Sequence, residues 1–167
     1  DLRARYVINA AGVYADDVSR LIGDDSYSVF PRKGEYMLLD KSAGGFKKVI
    51  FQTPSKLGKG VLVSPTVDGN AFAGPTAVDI QDKADNQVTD EGIAQLTGLS
   101  RKSVPSINLR AVITSFAGVR AQPSTGDFII RPSKKHAHFI HAAGICSPGL
   151  TSAPAIAQRV ADLLAGQ

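Results

Sequence analysis

The chain has 167 residues, 43% of them hydrophobic and 20% charged, and this describes one ordinary globular domain with a core. No apolar run approaches the roughly 20 residues that cross a bilayer. The single cysteine, Cys146, excludes an internal disulfide and favours a cytoplasmic location.

The formal net charge is +4, and the basic residues form small separate groups with few aromatic residues between them. A nucleic-acid interface needs a continuous basic stripe, so we expect no nucleic-acid partner. The three histidines are His136, His138 and His141. They lack the acidic neighbours and the fourth ligand of a metal site, so we expect no metal.

The N-terminal segment predicts a strand, a turn and a helix. A buried strand over residues 6–9 leads into a turn of small residues at 10–12. In the following helix Val18, Leu21 and Ile22 share one face at helical spacing. Residues 24–28 then have the composition of a polar linker.

The middle of the chain is rich in strand patterns. Residues 35–39 and 49–52 each predict a strand. Residues 60–65 and 70–74 predict a hairpin, because the turn between them contains Asp68-Gly69. Residues 77–86 are polar and predict irregular structure.

A helix is predicted over residues 89–102, with Thr89 as its cap and Ile93, Leu96 and Leu99 on its apolar face. Three strands follow, over residues 109–116, 128–131 and 138–142, and the last two are joined by a turn at 132–135.

The C-terminal part predicts a glycine-rich turn between a strand and a helix. Thr151 and Ser152 are expected to cap the helix, and Pro154 to lie in its first turn. Four apolar side chains then share one face: Ile156, Val160, Leu163 and Leu164. A strand that delivers such a turn to a helix N-terminus makes an anion site.

Four segments resemble motifs of the D-amino-acid-oxidase-like FAD-dependent oxidoreductases, and they occur in that family's order. The Asn-Ala-Ala-Gly-Val-Tyr-Ala run at 9–15 resembles a turn close to FAD. The Pro-Arg-Lys-Gly-Glu-Tyr run at 31–36 resembles the strand that leaves the FAD domain. The third is the Ala-Gly-Val-Arg run at 117–120, which resembles a family segment of the same residues. The fourth is the Ser-Pro-Gly-Leu-Thr-Ser run at 147–152, which resembles the family's last FAD contact.

The resemblance implies that residues in the first of these segments, and in the glycine-rich turn that contains the last one, contact FAD. Those residues are Asn9, Ala10, Ala11, Gly12, Gly144, Ser147, Pro148, Gly149, Leu150, Thr151 and Ser152. A helix N-terminus near the flavin would stabilise the negative charge of the reduced cofactor. The alternative for this turn is an ordinary helix-capping turn.

Two residues are candidates for substrate contact. Arg120 offers a planar guanidinium fork that suits a carboxylate or a phosphate, and the resemblance implies that it lies beside substrate and flavin. Tyr36 stands where FAD-dependent glycerol-3-phosphate dehydrogenases often carry a histidine. Together with the Val-Arg-Ala-Gln run at 119–122, this tyrosine looks more like the L-2-hydroxyglutarate enzymes. An aromatic side chain packed in a half-buried strand is the alternative for Tyr36.

Other candidates have simpler interpretations. Lys56 and Lys59 could cover the site from a glycine-containing loop, but solvated surface lysines are the simpler interpretation. Nothing near Cys146 indicates an activated thiolate, so it is interpreted as a packing residue.

The resemblance also indicates what this sequence does not contain. The family holds the FAD pyrophosphate with a Gly-x-Gly-x-x-Gly loop in a Rossmann half, and no such loop occurs here. We therefore expect a C-terminal portion of a larger flavoenzyme, which alone binds FAD weakly or not at all. Its exposed apolar surface would meet the missing Rossmann half or a dimer partner.

The sequence thus predicts an α+β fold with a mostly antiparallel sheet. Residues 1–24 and 125–167 are expected to be the remnant of the FAD-binding domain, and residues 25–124 the substrate domain, the whole folding as one unit. The expected function is oxidation of the C–OH group of a small anionic compound, glycerol 3-phosphate or L-2-hydroxyglutarate, by hydride transfer to FAD. A membrane surface or an electron acceptor is a further expected partner. The competing hypothesis is a non-catalytic binding or assembly module.

Overall fold

The computed structural model describes residues 3–53 and 60–166. This part of the chain contains three α-helices and eight strands. The helices are α1 (Ala15–Arg20), α2 (Asp90–Ser103) and α3 (Gly149–Ala165). The strands are β1 (Val7–Asn9), β2 (Val29–Leu39), β3 (Leu62–Pro65), β4 (Ala71–Gly74), β5 (Val78–Asp79), β6 (Val112–Pro123), β7 (Ile129–Pro132) and β8 (Phe139–Ala143).

The chain divides into two compact units. The first unit comprises residues 1–32, 80–83 and 120–167, and the second comprises residues 33–79 and 84–119. Strands β2 and β6 each begin in one unit and end in the other, so they are the main connections along the chain.

The first unit is built on a sheet in the order β1-β8-β7. β1 lies parallel to β8, whereas β7 lies antiparallel to it. Because side chains alternate along a strand, β8 serves two cores. Ile140 and Ala142 pack with Val160 of α3, and Ala143 packs with Ala15 and Tyr27.

The second unit takes its core from one sheet and one helix. β4 lies between β3 and β2, antiparallel to both, and β5 and β6 also pair with β2. The buried side chains of Met37, Leu39, Val63 and Ala73 pack against Leu96 of α2.

A buried carboxylate attaches α2 to this sheet. Glu35 of β2 is fully buried and accepts hydrogen bonds from the Thr89 N–H (2.7 Å) and the Thr89 hydroxyl (2.9 Å). The Thr76 hydroxyl also donates to Glu35, at 3.0 Å. A Cβ atom at Gly92 would overlap the carboxylate, so only glycine fits in this turn of α2.

Most predicted elements are confirmed. The α+β class with a mostly antiparallel sheet is correct, and the parallel β1–β8 pair is the exception. The β3–β4 hairpin is present, closed by a bond from the Thr66 N–H to the Asn70 carbonyl of 2.8 Å. Thr89 caps α2 as predicted by accepting from the Gly92 N–H at 3.0 Å.

Several strand bounds are wrong. Residues 49–52 form no strand and make only an isolated bridge between Ile50 and Val63. The strand predicted at 35–39 starts at Val29, and the one predicted at 109–116 is instead β6, after a short 3-10 turn at Leu109–Ala111. The segment predicted to be irregular contains the short β5.

The helix α1 buries a different face from the predicted one. It ends at Arg20, and Leu21 is 84% exposed. Asp16 and Ser19 are buried instead, because polar partners satisfy them: Lys83 Nζ lies 2.6 Å from Asp16, and Ser19 donates to the Asp24 carbonyl.

The start of α3 also differs from the prediction. The helix begins at Gly149 after Pro148, so Thr151 and Ser152 lie inside it and do not cap it. The Ser152 hydroxyl donates back to the Pro148 carbonyl at 3.2 Å. Pro154 lies beyond the first turn for the same reason. The predicted apolar face of α3 is confirmed.

Candidate functional site

The parallel pairing of β1 and β8 brings two predicted cofactor turns to one edge of a sheet. Asn9 at the end of β1 is in register with His141 of β8. Residues 10–12 and 144–148 leave the carboxyl ends of these two neighbouring strands. That edge is where open α/β sheets bind ligands.

The first turn consists of small exposed residues, and the buried Asn9 side chain fixes its shape. Ala10, Ala11 and Gly12 are exposed, and Gly12 has a φ of +59°, which favours glycine. Asn9 is 2% exposed, and its side chain donates to the Ala15 carbonyl at 2.7 Å and accepts from the Ala11 N–H at 3.3 Å. Asn9 therefore shapes the turn from within, while the three small residues face outward.

The second turn is fixed by close packing at its first residue. Gly144 has a φ of +62°, and a Cβ atom there would lie 2.5 Å from the Pro123 side chain. The turn then closes on itself, since the Cys146 N–H donates to the Gly144 carbonyl at 3.1 Å and the Gly149 N–H to the Cys146 carbonyl. A larger residue at 144 would displace the whole loop.

The N-terminus of α3 is open at the end of this loop. Among the described residues, no side chain caps the helix at Pro148. Ser147, Pro148 and Thr151 are exposed, and Leu150 is 92% exposed. The Gly149 N–H already donates to the Cys146 carbonyl, but the next N–H groups of a first helical turn have no intrahelical partner, and the N-terminus carries partial positive charge. This end of α3 can therefore receive an anionic or polar group.

Arg120 lies on the strand that packs against the second turn. It is half-buried on β6, and Ala121 beside it shares a core with Ala143. Pro123 of the same strand contacts Gly144. The first unit thus contains Arg120 and both turns.

Tyr36 belongs to the second unit and lies in an aromatic cluster. Its ring stacks on Phe116 with centroids 5.2 Å apart and planes 10° apart, and it meets Phe72 edge-on at 6.1 Å. Aromatic packing, the alternative interpretation of this residue, accounts for these contacts. Lys56 and Lys59 lie outside the described residues.

A buried polar network lies beneath the first turn and was not predicted from the sequence. His141 is fully buried, with Nε2 3.2 Å from Asp24 Oδ2 and Nδ1 3.1 Å from the Tyr27 hydroxyl. Although burial opposes ionisation, hydrogen bonds from Ser133 and Ser26 hold the pKa of Asp24 well below its ordinary value. Burial lowers the pKa of His141 below 6.5, against the opposing effect of Asp24.

One signal could have indicated this network. His141 lies inside an otherwise apolar strand, where a polar side chain needs a buried partner. Its partners come from residues 24–28, which were interpreted as a linker.

Among the described residues, no helix has the length and apolar character that a membrane span requires.

Known proteins resemble the chain over nearly its whole length. The chain is 48% identical over 161 residues to a glycerol 3-phosphate dehydrogenase of Caloramator mitchellensis, covering 96% of this chain and 34% of that protein. It is 27% identical over 183 residues to the mitochondrial L-2-hydroxyglutarate dehydrogenase of Arabidopsis thaliana, covering 97% of this chain and 38% of that protein.

A solved structure shows the same fold with the cofactor. The dithionite-reduced L-alpha-glycerophosphate oxidase of Mycoplasma pneumoniae, with FAD bound, matches with a TM-score of 0.88 and 38% identity. The match covers 95% of this chain and 42% of that one, so the chain spans well under half of its relatives' length.

The family model of the FAD dependent oxidoreductases (DAO) matches residues 1–163, and this confirms the resemblance inferred from the four motifs. The chain belongs to this family of FAD-dependent oxidoreductases.

Proposed function

We propose that the parent protein, meaning the complete polypeptide that contains these residues, oxidises the C–OH group of glycerol 3-phosphate with FAD. The observation that carries this proposal is the meeting of both turns at one sheet edge, with the Arg120 strand packed against the second turn. Each turn alone is common in α/β proteins, but the register of β1 and β8 brings both turns to the same sheet edge, which supports a single site.

The residues present fit one side of an FAD molecule. Ala10 to Gly12 leave room for a flat ligand, because even a Cβ atom added at Gly12 would meet nothing within 4 Å. The open N-terminus of α3, with the exposed Leu150 and Thr151, would favour negative charge on the isoalloxazine. When bound, the flavin supplies the hydride acceptor; the residues of this chain bind and orient it.

Arg120 is proposed to bind the anionic group of the substrate. A guanidinium keeps its charge at all working pH values and offers paired donors to a phosphate. Its strand packs on Ala143 through Ala121 and against Gly144 through Pro123, so the backbone of Arg120 is held close to the second turn. Tyr36, whose ring stacks on Phe116 within the second unit, has no part in this proposal.

The choice of substrate rests on the relatives. The glycerol 3-phosphate dehydrogenase is 48% identical to this chain, whereas the plant L-2-hydroxyglutarate dehydrogenase is 27% identical. Tyr36 and the Val-Arg-Ala-Gln run at 119–122 pointed toward the L-2-hydroxyglutarate enzymes. The identity difference extends over nearly the whole chain, so it outweighs these few residues, and we propose glycerol 3-phosphate as the substrate.

The remaining part of the parent protein is proposed to cover an apolar groove of the first unit. The groove has a volume of about 470 Å³ and runs between β1 and α3, lined by Ile8, Ala10, Ile156 and Val160 among others. β1 is an edge strand, and Val7 and Ile8 are 46% and 47% exposed. An uncovered apolar edge of this kind calls for a partner segment.

The test uses the parent protein purified without added cofactor. We expect a visible flavin band that bleaches anaerobically with glycerol 3-phosphate and not with L-2-hydroxyglutarate. An Arg120→Ala variant should keep the band and raise the KM for glycerol 3-phosphate by about tenfold or more, the cost of a charged hydrogen bond.

The matched control is Arg101→Ala, at an exposed arginine of α2, which should change neither band nor KM. Bleaching by L-2-hydroxyglutarate alone would overturn the substrate assignment. A colourless protein that takes up no FAD would overturn the flavoenzyme function and favour a non-catalytic module.

A further inference from the structure

A row of three polar residues crosses the sheet of the first unit. His141 of β8 is in register with Asn9 of β1 on one side and with Arg131 of β7 on the other. Residues in register on neighbouring strands point to the same face. The cofactor turn at 10–12 begins directly after the first member of this row.

The segment at residues 24–28 lies over this row and bonds to each member. Asp24 contacts His141 Nε2 at 3.2 Å, and Ser26 accepts from the Arg131 guanidinium at 2.8 Å. The Tyr27 hydroxyl contacts His141 Nδ1 at 3.1 Å and lies 3.4 Å from the Asn9 amide nitrogen. This segment therefore connects the row to the residues that shape the turn.

The hydrogen bonds can be assigned from their partners. The Asp24 carboxylate is ionised and can only accept, so Nε2 of His141 carries a proton toward it. The Tyr27 hydroxyl has one proton and two acceptors in reach, Nδ1 of His141 at 3.1 Å and the Ala15 carbonyl at 3.0 Å. The Ala15 carbonyl already accepts from Asn9 at 2.7 Å.

We propose that His141 is a positioning residue for the cofactor turn at 10–12. It acts as a neutral imidazole whose Nε2–H donates to Asp24 and whose Nδ1 accepts from Tyr27. The Tyr27 oxygen, oriented by this bond, accepts from the Asn9 amide, and the Asn9 side-chain oxygen in turn accepts from the Ala11 N–H. The inference rests on the proposed function in one respect, that this turn contacts FAD.

The surroundings support the neutral form. The charged groups around His141 are Asp24 and Arg131, and Asp16 acts on the neighbouring Tyr27. Burial disfavours a second proton on the imidazole, and Arg131 disfavours it further, while Asp24 opposes both. Asp24 is itself supplied with donors by the Ser133 hydroxyl and the Lys134 N–H, so it does not depend on an imidazolium.

Two substitutions distinguish the roles of the two ring nitrogens of His141. An asparagine side chain reaches only the position of Nδ1, so His141→Asn keeps an acceptor for Tyr27 and loses the donor to Asp24. A glutamine reaches the position of Nε2, so His141→Gln keeps the donor to Asp24 and loses the acceptor for Tyr27. A positioning role acts through Tyr27, whereas the stability of the buried Asp24 depends on Nε2.

The experiment measures FAD dissociation and thermal unfolding of the parent protein. We expect His141→Gln and Tyr27→Phe to weaken FAD binding by about tenfold, the factor for one lost hydrogen bond. His141→Asn should bind FAD within about threefold of the wild type and yet unfold at the lower temperature of the two His141 variants. Tyr6→Phe, in the same unit, is the control and should change neither quantity.

The ring protonation is read independently of flavin. In histidine-labelled protein at pH 7.5, the ¹⁵N shifts of His141 should show a proton on Nε2 and none on Nδ1. A proton on Nδ1 would overturn the assignment, as would FAD affinity that is unchanged by His141→Gln. If affinity and stability fall together in both variants, His141 is only structural.

Failure of the proposed function has a different signature. A parent protein that binds no FAD would defeat the proposed function and the positioning role together. A flavin-containing parent whose FAD affinity does not respond to His141→Gln defeats the positioning role alone.

Discussion

Glu35 and Thr89 form a paired contact that joins a strand to a helix cap. The Glu35 carboxylate accepts from both the N–H and the hydroxyl of Thr89, at 2.7 and 2.9 Å. Thr89 in turn accepts from the Gly92 N–H. The N-terminus of α2 is thus stabilised by a carboxylate that is remote in sequence.

Replacing this carboxylate should cost stability. In Glu35→Ala the donors of Thr76 and Thr89 lose their buried acceptor, so we expect a loss of about 2–3 kcal/mol in the free energy of unfolding. Urea unfolding of the parent protein, followed by far-UV circular dichroism, measures this. Glu91→Ala, at an exposed position in the same helix turn, should change the free energy by less than about 0.5 kcal/mol. An equal effect of the two variants would contradict the role of Glu35.

Two glycines of α2 offer a test with matched chemistry. At Gly92 a methyl group would overlap Glu35, whereas at Gly98 it would meet nothing within 4 Å. We expect Gly92→Ala to destabilise by about 2 kcal/mol or more, as overpacking does. Gly98→Ala should stabilise by about 0.5–1 kcal/mol because alanine is the better helix former. The same urea experiment gives both signs, and a stabilising Gly92→Ala would refute the packing described here.

The proposed FAD contact of the turn at 144–148 can be tested at its first residue, Gly144. Gly144 and Gly126 both have positive φ angles, +62° and +78°, but only Gly144 is packed against another residue, Pro123. Alanine at either position should cost roughly 1 kcal/mol of backbone strain. Only Gly144→Ala should also displace the loop, so we expect it alone to weaken FAD binding, by tenfold or more. Fluorescence titration of the apoprotein with FAD compares them, and equal affinities would argue against a cofactor role for the loop.

The buried His141 predicts how stability changes with pH. Its pKa in the folded state is lowered from 6.5 by burial, so the unfolded chain binds a proton first as the pH falls. The stabilisation is complete above pH 6.5 and is lost as the pH falls from there toward the lowered folded value. Unfolding free energies between pH 8 and 5 should show this decline, and His141→Asn should remove that part of it. A wild-type free energy of unfolding that rises as the pH falls from 8 to 5 would contradict the buried neutral state.

Local patterns were sufficient where an element carries its own signals. Thr89 with the apolar spacing of Ile93, Leu96 and Leu99 predicted α2, and Asp68-Gly69 predicted the β3–β4 turn. The family motifs gave the FAD dependence, and they predict that the turns at 10–12 and 144–148 contact the cofactor. These features depend on neighbours in sequence, so one sequence is enough to find them.

The rest depends on partners that are distant in sequence. Asp24 is polar and follows a helix, and nothing nearby shows that it bonds to His141 in the last strand. Similarly, the face of α1 was wrong because Lys83 makes the burial of Asp16 possible. Polar residues buried through distant partners look the same in sequence as solvated ones.

The register between Asn9 and His141 has a consequence for how the protein folds. It joins strands from the two ends of this sequence, with the whole second unit inserted between them. Closing so long a loop costs more entropy than any hairpin here, and contacts of high sequence separation slow folding. We expect the inserted unit to fold first, bringing the strand ends closer. The sheet edge that is proposed to contact the cofactor would then assemble late, as the last part of the chain to acquire its native order.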